Sequence, residues 1–239
     1  MAIHAAYRLC VQELQRRVPA LFAARRVLYV GANRSARPTL ADELLAAGAE
    51  LHLLEIWGPN VEYYQERETE IFASVTQGDV REIAGMHLGQ FDAIVWWHGP
   101  EHLEADEWPA ALVDLEALAP LVVVGCPWGV WEWGSGMDNP FETHRAHLYP
   151  ADLEAAGYTV QTTGKGPDRQ ELLIAWKGET GMRGDEWYYA KVGDSPTFWL
   201  VRGGQRERIG NPAEVYRHGM LEIRLMSRDE LAATPIKGE

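Results

Sequence analysis

Short apolar runs recur along the first three quarters of the chain, and each is followed by a turn and a segment whose apolar residues repeat every three or four positions. The runs are too short for helices and show little polar alternation, which is typical of strands buried on both faces. Strands that alternate with helices predict a parallel sheet covered by helices. The five predicted strands are residues 27–30, 51–56, 71–76, 91–97 and 121–125.

Two further predicted strands, residues 158–163 and 171–177, lie on either side of the turn Gly164-Lys165-Gly166-Pro167-Asp168. A connection this short cannot carry the chain back across a sheet to a parallel neighbour. These two strands are therefore predicted to be antiparallel to each other.

The helical segments carry start and stop signals. Thr39 followed by Asp42 resembles a capping box, and Gly48 ends the helix that this box would open. Pro109 predicts a break or a late start in the segment 103–119. The other predicted helices are 61–70, 150–157 and an N-terminal one with the apolar stripe Tyr7, Cys10, Leu14, Val18 and Leu21, for which core packing is the preferred role.

Composition narrows the class of protein. With 239 residues, 46% hydrophobic and 24% charged, the chain is compatible with one α/β domain and an appendage. A formal net charge of -13 opposes nucleic-acid partners, which are held by clustered Lys and Arg. The sequence has no long apolar run and no basic leader, so we expect no membrane span and a cytoplasmic location.

Polar or small residues follow four consecutive predicted strands. The first strand runs into Gly31-Ala32-Asn33, the second ends at Glu55, the third runs into Gly78-Asp79, and the fourth ends at Trp97-His98. All four ends meet at the edge where an open parallel sheet binds its ligand. An acidic side chain at the position of Glu55 is suited to accept both hydroxyls of a ribose.

The order VLYVGAN, LLEI, GDV, FDAIVWWHGPEHL and PLVVVGCPWG resembles the class I S-adenosylmethionine-dependent methyltransferases over residues 27–177. The stretch from CPWG to the Tyr-Pro-x-Asp-Leu helix is similar to an uncharacterised branch of that superfamily. The resemblance implies an α/β fold with a doubly wound, seven-stranded, mostly parallel sheet whose last strand is antiparallel. It also implies S-adenosylmethionine as cofactor.

The cofactor site that the resemblance implies includes Asp79 for the adenine amino group and Val80 against the ring. The sequence departs from the superfamily at Tyr29, where an acid is usual, and at Asn33 and Ser35, where glycines are usual. Asn33 tolerates a positive φ, so we expect the turn to survive. The complete set of expected cofactor-binding residues is Gly31, Ala32, Asn33, Glu55, Ile56, Gly78, Asp79, Val80, Trp97 and His98.

Two histidines follow the fourth strand. His98 and His102 are candidate general bases for a hydroxyl or amine that must lose a proton. Their spacing and the glutamate between them resemble a metal-binding helix, but Gly99 and Pro100 make helical geometry improbable there. We therefore expect no metal.

Residues 126–147 form a long aromatic stretch with neither helical nor strand periodicity. A segment of this kind is often a lid over a site, and Trp128, Trp131 and His144 are its candidate substrate-contacting residues. The alternatives are that the tryptophans fill the open end of the sheet or that they form an oligomer interface, with a homodimer as the simplest case. Cys126 lacks a basic neighbour in sequence, so no covalent role is assigned to it.

The sequence pattern changes in the last quarter of the chain. The expected division is a methyltransferase-like domain over residues 1–178 and a small α+β appendage over residues 179–239. FWLVRGGQRERI predicts a hairpin with its turn at Gly203-Gly204, followed by helices at 211–218 and 227–233. No catalytic constellation falls in this part, so recognition or docking is the default role.

Two functional classes remain open at this point. The first is an enzyme that transfers the methyl group of S-adenosylmethionine to a small-molecule or glycan acceptor, which the retained Glu55, Asp79 and His98 favour. The second is a non-catalytic scaffold that keeps the fold and binds cofactor weakly, which the altered glycines favour. The first is preferred, and a dinucleotide-dependent oxidoreductase ranks third because the turn lacks the glycine that admits a pyrophosphate.

Overall fold

The computed structural model describes residues 2–134, 138–163, 172–178, 180, 188–192, 198–202, 205–209, 223–226, 231–232 and 236. The chain divides into two compact units, Met1–Gly181 and Met182–Glu239. Among the described residues, no helix combines the length and the apolar character needed to cross a membrane.

The first unit is built on a seven-stranded sheet with the order β3-β2-β1-β4-β5-β7-β6. Only β7 runs antiparallel to its neighbours β5 and β6, so the predicted mostly parallel sheet with a reversed last strand is confirmed. The strands are β1 Arg26–Val30, β2 Glu50–Glu55, β3 Ser74–Gln77, β4 Ala93–Trp97, β5 Leu121–Pro127, β6 Thr159–Thr163 and β7 Leu172–Gly178.

The central strands are buried on both faces, as their unbroken apolar sequences predict. Side chains alternate across each strand, so Val27 and Tyr29 of β1 enter one core cluster and Leu28 and Val30 enter the other. The helices are α1 Ala2–Arg17, α2 Pro19–Ala23, α3 Ala41–Ala46, α4 Gly58–Glu66, α5 Trp108–Glu116 and α6 Pro150–Ala155. The first cluster packs against α1, α2 and α3, and the second packs against α5 and α6, which makes the sheet doubly wound.

The capping box predicted at Thr39 is wrong. The Thr39 carbonyl accepts a hydrogen bond from the Tyr29 hydroxyl at 3.0 Å, and Leu40 takes a left-handed φ of 71°. The carboxylate of Asp42 pairs with Arg37 at 2.6 Å instead of returning to the helix start. Helix α3 therefore begins only at Ala41.

Other predicted boundaries also differ from those in the structure. Helix α4 begins at Gly58 rather than residue 61, because Pro59 fits the first turn of a helix. Strand β3 begins at Ser74 rather than residue 71, and the buried Ile71 and Phe72 precede it. The late start of α5 at Trp108, next to Pro109, agrees with the prediction.

The second unit contains a four-stranded sheet with the order β10-β9-β8-β11. The predicted hairpin is confirmed, since β9 and β10 are antiparallel and Arg202 pairs with Gln205. The strands are β8 Tyr188–Val192, β9 Phe198–Arg202, β10 Gln205–Ile209 and β11 Ile223–Met226. The helix predicted at 211–218 and most of the one at 227–233 lie outside the described residues.

We expect a chain that ends at Gly181 to remain folded, because both core clusters of the sheet are formed by residues between Cys10 and Trp176. The cut keeps Thr180, whose carbonyl accepts from the Ala20 amide at 2.9 Å. Thermal melting of the shortened chain should show one cooperative transition within about 5 °C of the full chain. An insoluble or non-cooperative product would make the last residues part of the main fold.

Candidate functional site

A cleft opens at the carboxyl ends of β1, β2, β3 and β4, and its empty volume is about 840 Å³ with the open mouth included. All ten residues expected to bind cofactor line the cleft, and so do both candidate bases, His98 and His102. The other lining residues are Val30, Leu54, Arg81, Trp96, Gly99, Leu103, Asn139, Phe141, Glu142 and Arg145.

The turn after β1 keeps its shape through Gly31, which has a φ of 74° and open space where a Cβ would stand. The expectation that the turn survives does not depend on a positive φ at Asn33, because the non-glycine residues with positive φ in the described chain do not include it. Asn33 instead closes an Asx turn, in which its Oδ1 accepts from the Ser35 amide at 2.8 Å. Its Nδ2 donates to Glu142 at 2.8 Å, which joins the turn to the segment after β5.

Glu55 is more buried than the sequence suggests, with only 4% of its surface exposed. Its Oε2 accepts from the Ala32 amide and its Oε1 accepts from the Trp57 amide, both at 2.8 Å. Burial raises the pKa of Glu55, against the lowering effect of those two amides and of Asn60. The carboxylate therefore stabilises the glycine turn, a role beyond that of the ribose acceptor predicted from the sequence.

The same contacts disfavour a phosphate at this turn. Phosphates bind where free backbone N–H groups meet the N-terminus of a helix. Here the Ala32 amide is already bonded to a carboxylate, and α3 begins ten residues after Gly31. The carboxylate of Glu142 adds further negative charge beside the turn.

Asp79 caps the short 3-10 helix Val80–Gly85 by accepting from the Arg81 amide at 2.9 Å. Its carboxylate also pairs with the Arg81 guanidinium at 2.6 Å. Burial tends to raise the pKa of Asp79, but the bonds from Arg81 outweigh it and the pKa is lowered. A ligand amino group at Asp79 would therefore share an acceptor that Arg81 already uses.

His98 sits at the end of β4 with a φ of 53°, a conformation that costs energy for a non-glycine residue. Its Nδ1 lies 2.8 Å from Glu101 Oε1, and its Nε2 lies 2.8 Å from the Tyr7 hydroxyl. A carboxylate only accepts hydrogen bonds, so the neutral ring carries its proton on Nδ1 and accepts from Tyr7 at Nε2. The result is a Tyr7–His98–Glu101 chain at the wall of the cleft.

The charges in this chain follow from its surroundings. Burial would raise the pKa of Glu101, but the His98 bond and the nearby His102 lower it, and the carboxyl is ionised. Burial and the negative Glu101 raise the pKa of Tyr7 to about 12, so its phenol keeps its proton. Sequence reasoning missed both residues as site residues, because Tyr7 lies on an ordinary amphipathic helix and Glu101 was considered only in a metal pattern.

The aromatic segment after β5 contributes to the cleft through different residues from those predicted. Trp128 and Trp131 are partly buried against the two core clusters, and neither they nor His144 line the cleft. That these three residues contact a substrate stays a prediction. The described residues of this segment that line the cleft are Asn139, Phe141, Glu142 and Arg145, which lie in or next to the 3-10 turn Pro140–Glu142.

Neither cysteine is placed to act as a nucleophile. Cys10 and Cys126 are both fully buried, and neither lines the cleft. Burial raises the pKa of Cys10 to about 11 and that of Cys126 well above its usual value. Both thiols are therefore protonated and inert at neutral pH.

Comparison with known proteins bears on the fold. No protein-family model matches the chain, and no curated protein matches its sequence. Three solved structures align with TM-scores of 0.50. The methyltransferase domain of bacterial CtHen1-CN is 18% identical, over 72% of this chain and 100% of that one. The N-methyltransferase NodS from Bradyrhizobium japonicum WM9, in complex with S-adenosylhomocysteine, is 15% identical, over 71% and 85%.

The third structure, a complex of DhpI with S-adenosylhomocysteine, is 16% identical over 71% of this chain and 83% of that one. These likenesses show that the seven-stranded unit has the fold of the S-adenosylmethionine-dependent methyltransferases. The fold implied by the sequence resemblance is thereby confirmed.

Proposed function

We propose that this protein transfers the methyl group of S-adenosylmethionine to a small-molecule or glycan acceptor. The observation that carries the proposal is the position of Glu55, a carboxylate at the end of β2 in a cleft that the glycine turn, β3 and β4 also line. In an open α/β sheet this is the edge that binds nucleosides. The net charge of -13 favours a small acceptor over a nucleic acid.

The cleft residues suggest how the cofactor would be held. One ribose hydroxyl would donate to the acceptor site of Glu55 that the Ala32 amide, the Trp57 amide and the Asn60 side chain leave open, and the second would replace the Asn60 bond. The adenine would pack on Val80, with its amino group toward Asp79. The methionine part would then lie along Gly31, which places the sulfonium methyl toward the end of β4.

The charge of the ligand distinguishes the proposed methyltransferase from a dinucleotide-dependent oxidoreductase. S-adenosylmethionine carries a positive sulfonium and a positive ammonium against one carboxylate, so its net charge is positive. Glu55 and Glu142 suit such a ligand, whereas a pyrophosphate would be repelled by both and would find the Ala32 amide already bonded. The third-ranked hypothesis is therefore disfavoured by the structure of the turn.

His98 is the proposed proton acceptor. Glu101 fixes the tautomer and orientation of its ring, which leaves the Nε2 lone pair on the side of Tyr7. An acceptor hydroxyl or amine would replace the Tyr7 hydroxyl at Nε2 and lose its proton there as the methyl group arrives. Positioning the nucleophile in line with the sulfonium would supply most of the rate.

Calorimetric titration of the full chain tests the proposal without knowledge of the acceptor. We expect S-adenosylhomocysteine to bind with a dissociation constant of about 10 µM or below and to raise the melting temperature. S-adenosylmethionine should also bind, and NAD should give no measurable heat. Absence of heat and of a thermal shift with both sulfur compounds would reject the proposal in favour of the non-catalytic scaffold.

A further inference from the structure

Three side chains that are good metal ligands meet beside the cleft. Glu101, His102 and His144 each offer one ligand atom, and these atoms lie within 4.8 Å of one another. The rings of His102 and His144 have their centroids 5.0 Å apart. A tetrahedral ion with bonds of about 2.1 Å needs ligand atoms about 3.4 Å apart, so modest side-chain rotations would close the site.

Hydrogen bonds to main-chain carbonyls join the segment that carries Glu101 and His102 to the segment that carries His144. The Glu101 carbonyl accepts from the Arg145 amide at 2.8 Å and from the Ala146 amide at 3.1 Å. The Arg145 guanidinium donates to the His102 carbonyl, also at 2.8 Å. The meeting of His144 with Glu101 and His102 is therefore fixed by the backbone.

Both imidazoles have the bonding pattern of metal-binding histidines. Nδ1 of His102 lies 3.3 Å from the Thr143 carbonyl, and Nδ1 of His144 lies 2.6 Å from the Trp131 carbonyl. A carbonyl only accepts, so these bonds place the proton on Nδ1 and leave the lone pair on Nε2. Metal-binding histidines are usually oriented by a bond of this kind from the other ring nitrogen.

Glu101 provides an independent reason for a cation. The residue is 1% exposed, and its Oε1 accepts from His98. Its Oε2 is buried and has no hydrogen-bond partner among the described residues. A buried carboxylate oxygen without a partner is costly. A cation bound by the cluster would give this oxygen a partner and would use the lone pairs of the two imidazoles.

We propose that Glu101, His102 and His144 bind a divalent transition-metal ion such as Zn²⁺. Two imidazoles and a carboxylate suit Zn²⁺ and its neighbours better than Mg²⁺ or Ca²⁺, which prefer oxygen ligands. Three protein ligands leave a coordination position for a small molecule, as in catalytic zinc sites. The inference replaces the expectation of no metal and does not depend on the proposed methyl transfer.

Titration with Co²⁺, a coloured substitute for Zn²⁺, tests the site in the full chain after chelator treatment and removal of any affinity tag. We expect one Co²⁺ per chain, visible absorption bands from the bound ion, and displacement of the ion by Zn²⁺. His102→Ala, His144→Ala and Glu101→Gln should each weaken binding by about tenfold to a hundredfold or more, since each removes a ligand. Cofactor is left out, so the result is separate from that of the methyl-transfer test.

His147→Ala is the matched control, because His147 is exposed, lies three residues from His144 and is not in the cluster. It should bind Co²⁺ as the unaltered chain does. Absence of binding, or binding that the three ligand variants leave unchanged, would overturn the proposal. If those variants do not fold, anomalous diffraction at the zinc edge from the Zn²⁺-soaked unaltered protein decides: an ion between His102 and His144 supports the site, and an ion elsewhere or none rejects it.

Discussion

Replacement of Glu55 with glutamine is expected to weaken S-adenosylhomocysteine binding by about tenfold to a hundredfold. The glutamine keeps the size of the side chain but loses the charge, and hydrogen bonds to a charged group contribute roughly 1.5 to 3 kcal/mol. The ligand-free variant should also be less stable by about 1 kcal/mol, because the amide can accept from only one of Ala32 and Trp57 through its oxygen. Calorimetry and thermal melting measure the two effects separately.

Asp92→Asn is the control for this experiment. The Asp92 carboxylate also accepts from two backbone amides, those of Arg25 and Arg26, both at 2.9 Å. It lies before β4, at the opposite edge of the sheet, and does not line the cleft. Its replacement should leave the affinity for S-adenosylhomocysteine unchanged. A Glu55→Gln protein that melts at a lower temperature but binds as tightly as the unaltered chain would show that Glu55 is only structural.

Gly99→Ala is expected to destabilise the protein by about 1 to 3 kcal/mol, which lowers the melting temperature by about 2 to 12 °C. A methyl group at this position would overlap the indole of Trp96, which is 1% exposed and packed in the second core cluster. Either the indole or the segment that carries His98 and Glu101 must move. Affinity for S-adenosylhomocysteine should fall as well, because Trp96, His98 and Gly99 all line the cleft.

Gly85→Ala is the matched control for Gly99→Ala. Gly85 ends the 3-10 helix after Asp79, is exposed, and has no atom within 4 Å of the position that a Cβ would take. The same change of one methyl group should leave the melting temperature within about 2 °C of the original. If both variants melt at the same temperature, the close contact between Gly99 and Trp96 does not make the end of β4 sensitive to an added methyl group.

The sheet could be predicted from the sequence because its strands are signalled locally. Val122, Val123 and Val124 form an unbroken apolar run, and all three are buried in the structure. Element boundaries were less predictable, because they depend on contacts between distant residues. The bond from the Tyr29 hydroxyl to the Thr39 carbonyl, which accompanies the late start of α3, has no signal in the local sequence.

The site was predictable where it consists of strand ends and not where it depends on the fold of loops. Glu55 and His98 could be predicted to line the cleft because each lies at the end of a predicted strand. Tyr7 reaches His98 from a helix 91 residues earlier in the chain, and no sequence pattern joins the two. His144 lies beside His102 in part because the Glu101 carbonyl accepts from the amides of Arg145 and Ala146, and no sequence pattern joins these two segments.

A crystal structure of the protein with S-adenosylhomocysteine tests the central claim most directly. The account predicts that the ligand lies in the cleft with both ribose hydroxyls within about 3 Å of the Glu55 carboxylate. The adenine should contact Val80, and the sulfur should face the end of β4 at His98. A ligand bound outside the cleft, or a cleft that stays empty at saturating concentration, would contradict the assignment of this sheet edge to the cofactor.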